Sequence, residues 1–335
     1  MKIIDLEDSN LCTRVYENKT EEYLCKKGTR ILVIPQNDKN TYRFVGGRKT
    51  QHILVHLCKK NVNKYYEDYH SSLRLYDIQI LYADKADISI SDNPGIFYFI
   101  SFDHRDNQLE IPLSIKNTAY INFEPLYCYD NYRLLRPIYE KGYQLLDYSV
   151  SHTMQFPKEL HLPYQYDEVE IGNLKMYMQG SPKEYDVAMI CNGQPRRQKI
   201  QAELEKRGIK VYHIMGWGFV RDYEVSKCRM LLNLHAHEEQ MGFVTFEELR
   251  CVRWMFAGMK IIAETSVNQE ELMVTGIEFV DYDQLVDRTV KYIRNLKCSV
   301  DDDEPEFVPN EVELQKCARA RQEKLQNVLK FLNLS

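Results

Sequence analysis

The chain has 335 residues, of which 44% are hydrophobic and 28% are charged, and its net charge is −5. This length and composition are typical of a globular protein with about two domains, and they exclude a disulfide-stapled mini-protein. Because no apolar run approaches about 18 residues, we expect no membrane span. The acidic balance gives no general attraction for a polyanion, which argues against nucleic acid as a partner.

The beginning of the chain and its cysteines indicate a compartment. Met1–Arg14 carries acidic residues where a secretory signal needs a basic segment and then a long apolar one. The nine cysteines are odd in number and show no Cys-x-x-Cys spacing, which indicates free thiols rather than a disulfide framework or a structural zinc site. We therefore expect a cytoplasmic protein.

Short apolar runs alternate with helical patterns in the first half of the chain, which predicts an irregular α/β domain. Strands are predicted at 30–35, 77–83, 95–102 and 117–124, and helices at 49–60 and 132–142.

The second half repeats this alternation more regularly, which predicts a parallel sheet wrapped by helices. Strands are predicted at 185–191, 209–215, 228–236, 259–264 and 277–282, and helices at 195–207, 220–227, 245–257 and 282–296. An acidic, proline-containing loop at 299–310 precedes a last helix over 311–334. We expect an α/β fold with domains at 1–170 and 171–300, followed by the loop and helix of 301–335.

A basic cluster follows the strand at 185–191. Pro195 suits the first helical position, so Arg196, Arg197 and Lys199 lie in the first turn, where the helix dipole disfavours cations. Local stability does not explain them, whereas a bound pyrophosphate near Gly193 would. The alternative is a set of solvent-exposed cations, with Lys199 paired to Glu203.

A second polar segment follows the strand at 228–236. His235, His237 and Glu239 alternate as on one face of an extended strand, so a metal site is one interpretation. We favour a hydrogen bond from a cleft histidine to phosphate or sugar, and we expect no metal. Seven residues separate Glu239 from Glu247, which would accept from a ribose diol or complement the helix dipole.

A neighbouring pattern has a structural explanation. Thr245 and Glu248 have the spacing of a capping box, so we expect Glu248 to cap the helix at 245–257.

Further candidates lie in the first half of the chain. Gly46 and Gly47 precede the predicted helix at 49–60, where they would admit a ligand or only form a turn. Asp103, His104 and Glu124 follow predicted strands, where a general base would face an acceptor, and they could equally be surface residues.

With these motifs assembled, 185–281 resembles the C-terminal, donor-binding domain of GT-B glycosyltransferases of the group 1 or family 4-like superfamily. The opening YDVAMICNGQPRRQKI and the segment EQMGFVTFEELRCVRWMFAGMKIIAETS carry the likeness. A bacterial and viral subgroup shares the pattern of Arg196, Arg197, Ile200 and Leu204 and the Asn-Leu-His of 233–235.

The resemblance implies two Rossmann-like domains facing a cleft, with the C-terminal helix crossing back. It implies a nucleotide-diphosphate sugar, such as a UDP or GDP sugar, with Arg196, Arg197 and Lys199 on the diphosphate and Glu247 on the ribose. Glu239 would lie near the donor sugar, and Gly46 and Gly47 are similar to the family's first glycine-rich loop.

From these patterns we expect transfer of the sugar to a hydroxyl acceptor, either a glycan or a small molecule, without a cofactor or metal ion. Arg196, Arg197, the helix N-terminus and His235 would stabilise the leaving group. Two alternatives stay open. One is a sugar transferase acting on modified DNA bases, and the other is a non-catalytic GT-B scaffold that binds nucleotide.

Overall fold

A computed structural model describes residues 118–122, 126, 131–149, 160–166, 168–191, 193–215, 218–236, 245–267, 269–298 and 310–332, and the backbone of seven earlier strands. The chain divides into two compact units. The first comprises Met1–Tyr148, His152–Leu162 and Gln326–Ser335, and the second comprises Ser149–Ser151 and Pro163–Leu325. The predicted boundaries at 170 and 300 stay predictions.

An antiparallel sheet forms the first part of unit 1. Its strands pair in chain order and are β1 (Cys12–Val15), β2 (Glu21–Leu24), β3 (Arg30–Gln36) and β4 (Lys39–Val45). The β3–β4 hairpin runs in continuous register from Arg30 opposite Val45 to Gln36 opposite Lys39. Only β3 was predicted from the sequence.

A six-stranded parallel sheet follows, in the order β10-β9-β8-β7-β5-β6. Its strands are β5 (His52–Leu57), β6 (Ile78–Ala83), β7 (Tyr98–Phe102), β8 (Thr118–Asn122), β9 (Gln144–Asp147) and β10 (Leu160–His161). Helix α1 (Asn131–Glu140) connects β8 to β9.

The predicted helix at 49–60 is wrong, because this segment contains β5. The strand pairs in parallel with β6 on one side and β7 on the other. Central parallel strands carry continuous apolar runs without alternation, and a run such as HILVHL fits a buried strand as well as a helix face.

Unit 2 holds a five-stranded parallel sheet in the order β12-β11-β13-β14-β15. The strands are β11 (Tyr185–Ile190), β12 (Val211–Ile214), β13 (Cys228–Asn233), β14 (Lys260–Glu264) and β15 (Glu278–Val280). The helices are α2 (Glu168–Gly180), α3 (Pro195–Lys206), α4 (Gly218–Ser226), α5 (Glu248–Phe256), α6 (Glu270–Met273), α7 (Leu285–Cys298) and α8 (Glu311–Phe331). The parallel α/β sheet predicted for this half of the chain is confirmed.

The sheet of unit 2 buries apolar side chains on both faces. Met230, Leu232 and Leu234 pack on one face with residues of α3 and α7. Leu231 packs on the other face with α5, including the fully buried Trp254. The alternation of odd and even positions along β13 therefore continues through Leu234.

The first residue of α5, Glu248, forms an ion pair with a residue of α8. Arg321 donates to Glu248 through Nη1 and Nη2, at 2.7 and 3.1 Å, and the Glu248 carboxylate accepts from the Tyr164 amide at 3.2 Å. The predicted capping box is wrong, because Thr245 forms a bridge with Val267 and α5 begins at Glu248. Glu248 instead forms a buried ion pair with Arg321.

The amino edge of this sheet carries a buried, neutralised carboxylate. Asp186 lies 2.9 Å from the Lys297 ammonium and 3.7 Å from the Arg229 guanidinium, and it accepts from the Lys210 amide at 2.9 Å. No helix in the described ranges is long and apolar enough to cross a membrane.

Candidate functional site

The strand order of unit 2 places a topological switch point between β11 and β13, where the connections leave in opposite directions. In open parallel sheets, ligands bind outside the carboxyl ends of the strands at such a point. The loop before α3 follows β11, and Leu234 and His235 follow β13. The basic cluster and the Asn-Leu-His motif therefore lie at the same edge of one sheet.

Arg196 spans this switch point from the first turn of α3. Its Nη1 donates to Glu264 at 2.6 Å and to the His235 carbonyl at 3.2 Å, and its Nη2 donates to the second Glu264 oxygen. The guanidinium carbon lies 3.7 Å from the centre of the Tyr282 ring, and the Tyr282 hydroxyl donates to the Arg196 carbonyl at 2.9 Å. Arg196 is thus oriented by three groups.

Arg197 makes the matching link and is more deeply buried. Its Nε and Nη2 donate to the Leu234 carbonyl at 3.2 and 3.1 Å, and the residue is 5% exposed. Glu264 and the Leu234 carbonyl pair with these arginines inside the fold, so their internal partners lie 68 and 37 residues away in sequence rather than in the first turn of α3. Their position at the ligand edge remains consistent with anion binding.

The other residues of the basic loop are more exposed. Gly193 and Lys199 are both exposed. The predicted pairing of Lys199 with Glu203 gives way to contacts of Glu203 with Arg207 at 3.1 Å and Lys206 at 3.9 Å. Among the described residues, no side chain caps the start of α3.

The ring of His235 is buried at the ends of β13 and β14, with 1% exposure. Its Nε2 lies 3.3 Å from the Thr265 carbonyl and 3.2 Å from the Ser266 hydroxyl. Burial lowers the pKa of His235, and the nearby Arg196 adds to this, while the Glu264 and Glu247 carboxylates and the Thr265 hydrogen bond oppose it. The imidazole is therefore neutral near pH 7.

Glu247 occupies the N-cap position of α5, one residue before the helix rather than in its first turn. Its carboxylate lies 3.8 Å from Arg250, which also donates to the Asn233 side chain at 3.3 Å. Glu247 is half-buried, and its carboxylate is close enough to His235 to raise the pKa of that ring, so Glu247 lies at the same edge of the sheet as His235.

Several predicted site residues lie outside the described residues. These are Gly46, Gly47, Asp103, His104, Glu124, His237 and Glu239. Two members of the possible metal trio are therefore not described, and the described residues alone contain no group of three such ligands.

Sequence reasoning missed Glu264, Tyr282 and Asn233. The available signal for Glu264 is that it ends a predicted strand at the edge where the arginines lie, since an enclosed arginine requires a carboxylate or carbonyl partner. Tyr282 begins a 3₁₀ turn, Tyr282–Gln284, directly after the last strand of the sheet. Asn233 belongs to the Asn-Leu-His motif of 233–235, and the sequence pattern gives it no role of its own.

No protein-family model matches the chain. Uncharacterized protein L140 of Acanthamoeba polyphaga mimivirus is 31% identical over 280 residues, covering 81% of this chain and 86% of that protein. The chain belongs to the family of protein L140. Uncharacterized protein L137 of the same virus is 35% identical over 164 residues, covering 47% of this chain and 22% of L137.

This member of the L140 family also resembles a solved structure in its fold. AviGT4, a glycosyltransferase involved in avilamycin A biosynthesis, matches with a TM-score of 0.50 and 9% identity, over 84% of this chain and 97% of AviGT4. At this identity the likeness concerns the fold alone. The predicted α/β fold of GT-B type, with a parallel sheet in each of two units, is confirmed.

Proposed function

We propose that the protein is a glycosyltransferase, which transfers a sugar from a nucleotide-diphosphate sugar to the hydroxyl group of a glycan or small molecule. The observation that carries this proposal is the arrangement of Arg196 and Arg197. Both lie in the first turn of α3, which follows β11. Their guanidinium groups reach across the switch point to the carbonyl groups that follow β13. The shared fold with AviGT4 supports it.

Anion binding at this edge follows from charge and geometry. Two guanidinium groups lie beside the positive end of α3, and one carboxylate, Glu264, offsets part of their charge. A diphosphate offers several acceptor oxygens to such donors, and charge-assisted hydrogen bonds are stronger than neutral ones. Lys199 and the backbone near Gly193 complete the proposed diphosphate site, and Glu247 would accept from the ribose.

In the proposed reaction, the bond between the anomeric carbon and the β-phosphate oxygen breaks, and the acceptor oxygen bonds to that carbon. The acceptor proton passes to a general base, for which Asp103, His104 and Glu124 remain the predicted candidates, while Glu239 is predicted to lie near the donor sugar. Negative charge develops on the departing diphosphate, where Arg196 and Arg197 would stabilise it. We propose that this stabilisation requires no metal ion.

The test is nucleotide binding to conservative variants, because Arg197 is buried and Arg196 is largely enclosed, so alanine would leave cavities. Arg196→Gln and Arg197→Gln should each weaken binding of UDP or GDP about tenfold or more, since a charge-assisted hydrogen bond contributes about 1.5–3 kcal/mol. Isothermal calorimetry measures this affinity, with and without Mg²⁺.

Arg207→Gln is the matched control. Arg207 follows the last residue of the same helix and is paired with Glu203 and Asp287, away from the carboxyl edge of the sheet. Its substitution should leave nucleotide affinity unchanged. If all three variants bind nucleotide with the affinity of the unsubstituted protein and unfold at the same temperature, the proposed diphosphate site is excluded.

A further inference from the structure

Two buried polar atoms at the end of β13 have no hydrogen-bond partner within the described part of the chain. They are the amide nitrogen Nδ2 of Asn233 and the ring nitrogen Nδ1 of His235. Both residues are 1% exposed. Buried polar groups are nearly always paired, so two orphaned atoms on neighbouring positions need an explanation.

The two side chains lie on the same side of the sheet. Residues two apart in an extended segment share a face, and the intervening Leu234 packs on the opposite face with Leu232. Asn233 contacts Arg250 of α5, so this side is the one that α5 covers. The orphaned atoms therefore lie beside the beginning of α5, next to the switch point.

The hydrogen bonds of the His235 ring fix its tautomer. The Thr265 carbonyl can only accept, and the Ser266 hydroxyl donates its hydrogen to the Glu264 carbonyl at 3.0 Å, so it accepts as well. Nε2 must carry the ring hydrogen to satisfy these partners. In the neutral ring Nδ1 is consequently a lone-pair acceptor.

The orientation of the Asn233 amide is fixed by Arg250. The guanidinium can only donate, and it contacts the Asn233 Oδ1 at 3.3 Å, so the remaining atom is the NH₂ group. The pair thus offers one acceptor, His235 Nδ1, and donors from Asn233 Nδ2.

We propose that Asn233 and His235 recognise hydroxyl groups of the bound ligand, with His235 Nδ1 accepting and Asn233 Nδ2 donating. This inference rests on the proposed function, and it assigns the site to the ribose or the transferred sugar of the donor. A hydroxyl is both donor and acceptor, so adjacent hydroxyls of a sugar ring match this pair.

A phosphate group fits the pair poorly. Its oxygens only accept, so they would face the lone pair of His235 Nδ1 without a hydrogen between them. The neighbouring Arg196 and Arg197, which reach the His235 and Leu234 carbonyls, carry the charged N–H donors that phosphate oxygens match. The polar groups around the switch point therefore divide into guanidinium groups, which match a diphosphate, and the Asn233–His235 pair, which matches hydroxyls.

The test uses two variants that keep the internal hydrogen bonds. His235→Gln places an amide N–H near the Thr265 carbonyl but removes the Nδ1 acceptor. Asn233→Asp keeps the oxygen that Arg250 contacts but removes the donor. Calorimetry on the full chain compares UDP and GDP with their 2′-deoxy and 3′-deoxy analogues, and UDP-glucose with the corresponding deoxy-glucose derivatives.

The expected result is a loss of discrimination. The unsubstituted protein should bind the ligand that carries the hydroxyl about tenfold more tightly than one of its deoxy analogues. In each variant the ratio of the two dissociation constants should fall toward 1. If the hydroxyl belongs to ribose, the effect appears with nucleoside diphosphates. If it belongs to the transferred sugar, it appears only with the nucleotide sugars. Either result supports the proposal.

Thr289→Val is the control, because Thr289 also carries a buried hydroxyl for which the described residues supply no partner, but on α7. It should leave all affinities unchanged. Variants that bind hydroxyl and deoxy ligands with unchanged discrimination would overturn this inference alone. If no nucleotide binds the unsubstituted protein, the proposed function and this inference both fail.

Discussion

Arg321 of α8 and Glu248, the first residue of α5, form a two-point ion pair with the Arg321 side chain 1% exposed. Arg321 also donates to the Tyr164 carbonyl at 3.0 Å, and Glu248 accepts from the Tyr164 amide. Three segments that are 73 or more residues apart in sequence therefore meet at one pair of charges. This pair replaces the cap that the sequence pattern predicted for α5.

Removing one member of this pair should destabilise unit 2 strongly. Arg321→Met leaves the Glu248 carboxylate buried without its counter-charge, which costs about 3–5 kcal/mol. Urea unfolding followed by circular dichroism measures the change. Arg319→Met, at an exposed position of the same helix, should change stability by less than about 0.5 kcal/mol.

The double variant Arg321→Met with Glu248→Leu tests the cause. If the unpaired charge is responsible, the double variant should recover most of the lost stability, because an apolar pair of similar volume often substitutes for a buried ion pair. A double variant as unstable as Arg321→Met alone would show that packing, not charge, governs this site.

The Glu264 carboxylate should compete with a bound anion for Arg196. Glu264→Gln keeps a side chain that can accept from Arg196 and the His235 amide but removes the negative charge. We expect the affinity for a nucleoside diphosphate to rise severalfold at low salt, and the gain to shrink as salt screens the charges. Calorimetry at two ionic strengths measures both effects.

Glu278→Gln is the control for Glu264. Glu278 lies on β15 and pairs with Lys260 and Arg288, so it is a partly buried, ion-paired carboxylate outside the arginine cluster. Its substitution should leave affinity unchanged. Weaker binding by Glu264→Gln would contradict competition and assign Glu264 to holding Arg196 in position.

The pH dependence of stability should report the buried His235 ring. Burial lowers the pKa of His235 in the folded protein below the ordinary value near 6.5. As the pH falls below about 6.5, the unfolded chain binds the proton first, so stability is full above this pH and declines below it.

The decline should reach at most about 1.4 kcal/mol per pH unit for this single group. Urea unfolding between pH 7.5 and 5 measures it, and His235→Gln should flatten the curve in the window just below pH 6.5. A variant with the same decline as the unsubstituted protein would assign the pH dependence to other groups.

Two glycines flanking α3 should respond differently to alanine. Gly208 follows the helix with φ +83°, a left-handed conformation, so Gly208→Ala should cost about 1 kcal/mol although the surrounding space is open. At Gly193 the nearest contact of an added Cβ is the flexible Gln198 side chain, at 3.2 Å. Gly193→Ala should therefore cost less than Gly208→Ala in thermal unfolding.

The sequence predicted the elements of unit 2 well because each strand is a short apolar run bounded by polar turns. The helix predicted at 245–257 begins only at Glu248, since Thr245 is bridged to Val267. The segment at 49–60 was mispredicted because its apolar run fits either period, and only its pairing with β6 and β7 decides.

The candidate site was predictable only where it is local in sequence. The start of a helix after a strand placed Arg196 and Arg197 correctly, because Pro195 marks the first turn. Glu264 lies 68 residues from Arg196, and no local pattern relates two such positions. The same holds for the orphaned atoms of Asn233 and His235, whose lack of partners exists only in three dimensions.

The paired charges of Asp186 at the amino edge of the sheet make the two edges respond differently to perturbation. Substituting Lys297 or Arg229 should lower the melting temperature of the free protein. It should not alter the rise in melting temperature that a bound nucleotide causes, because these two cations pair with Asp186 and not with the ligand. Substitutions at the carboxyl edge should reduce that rise. Thermal denaturation with and without nucleotide thus sorts variants of this family into purely architectural and recognition classes.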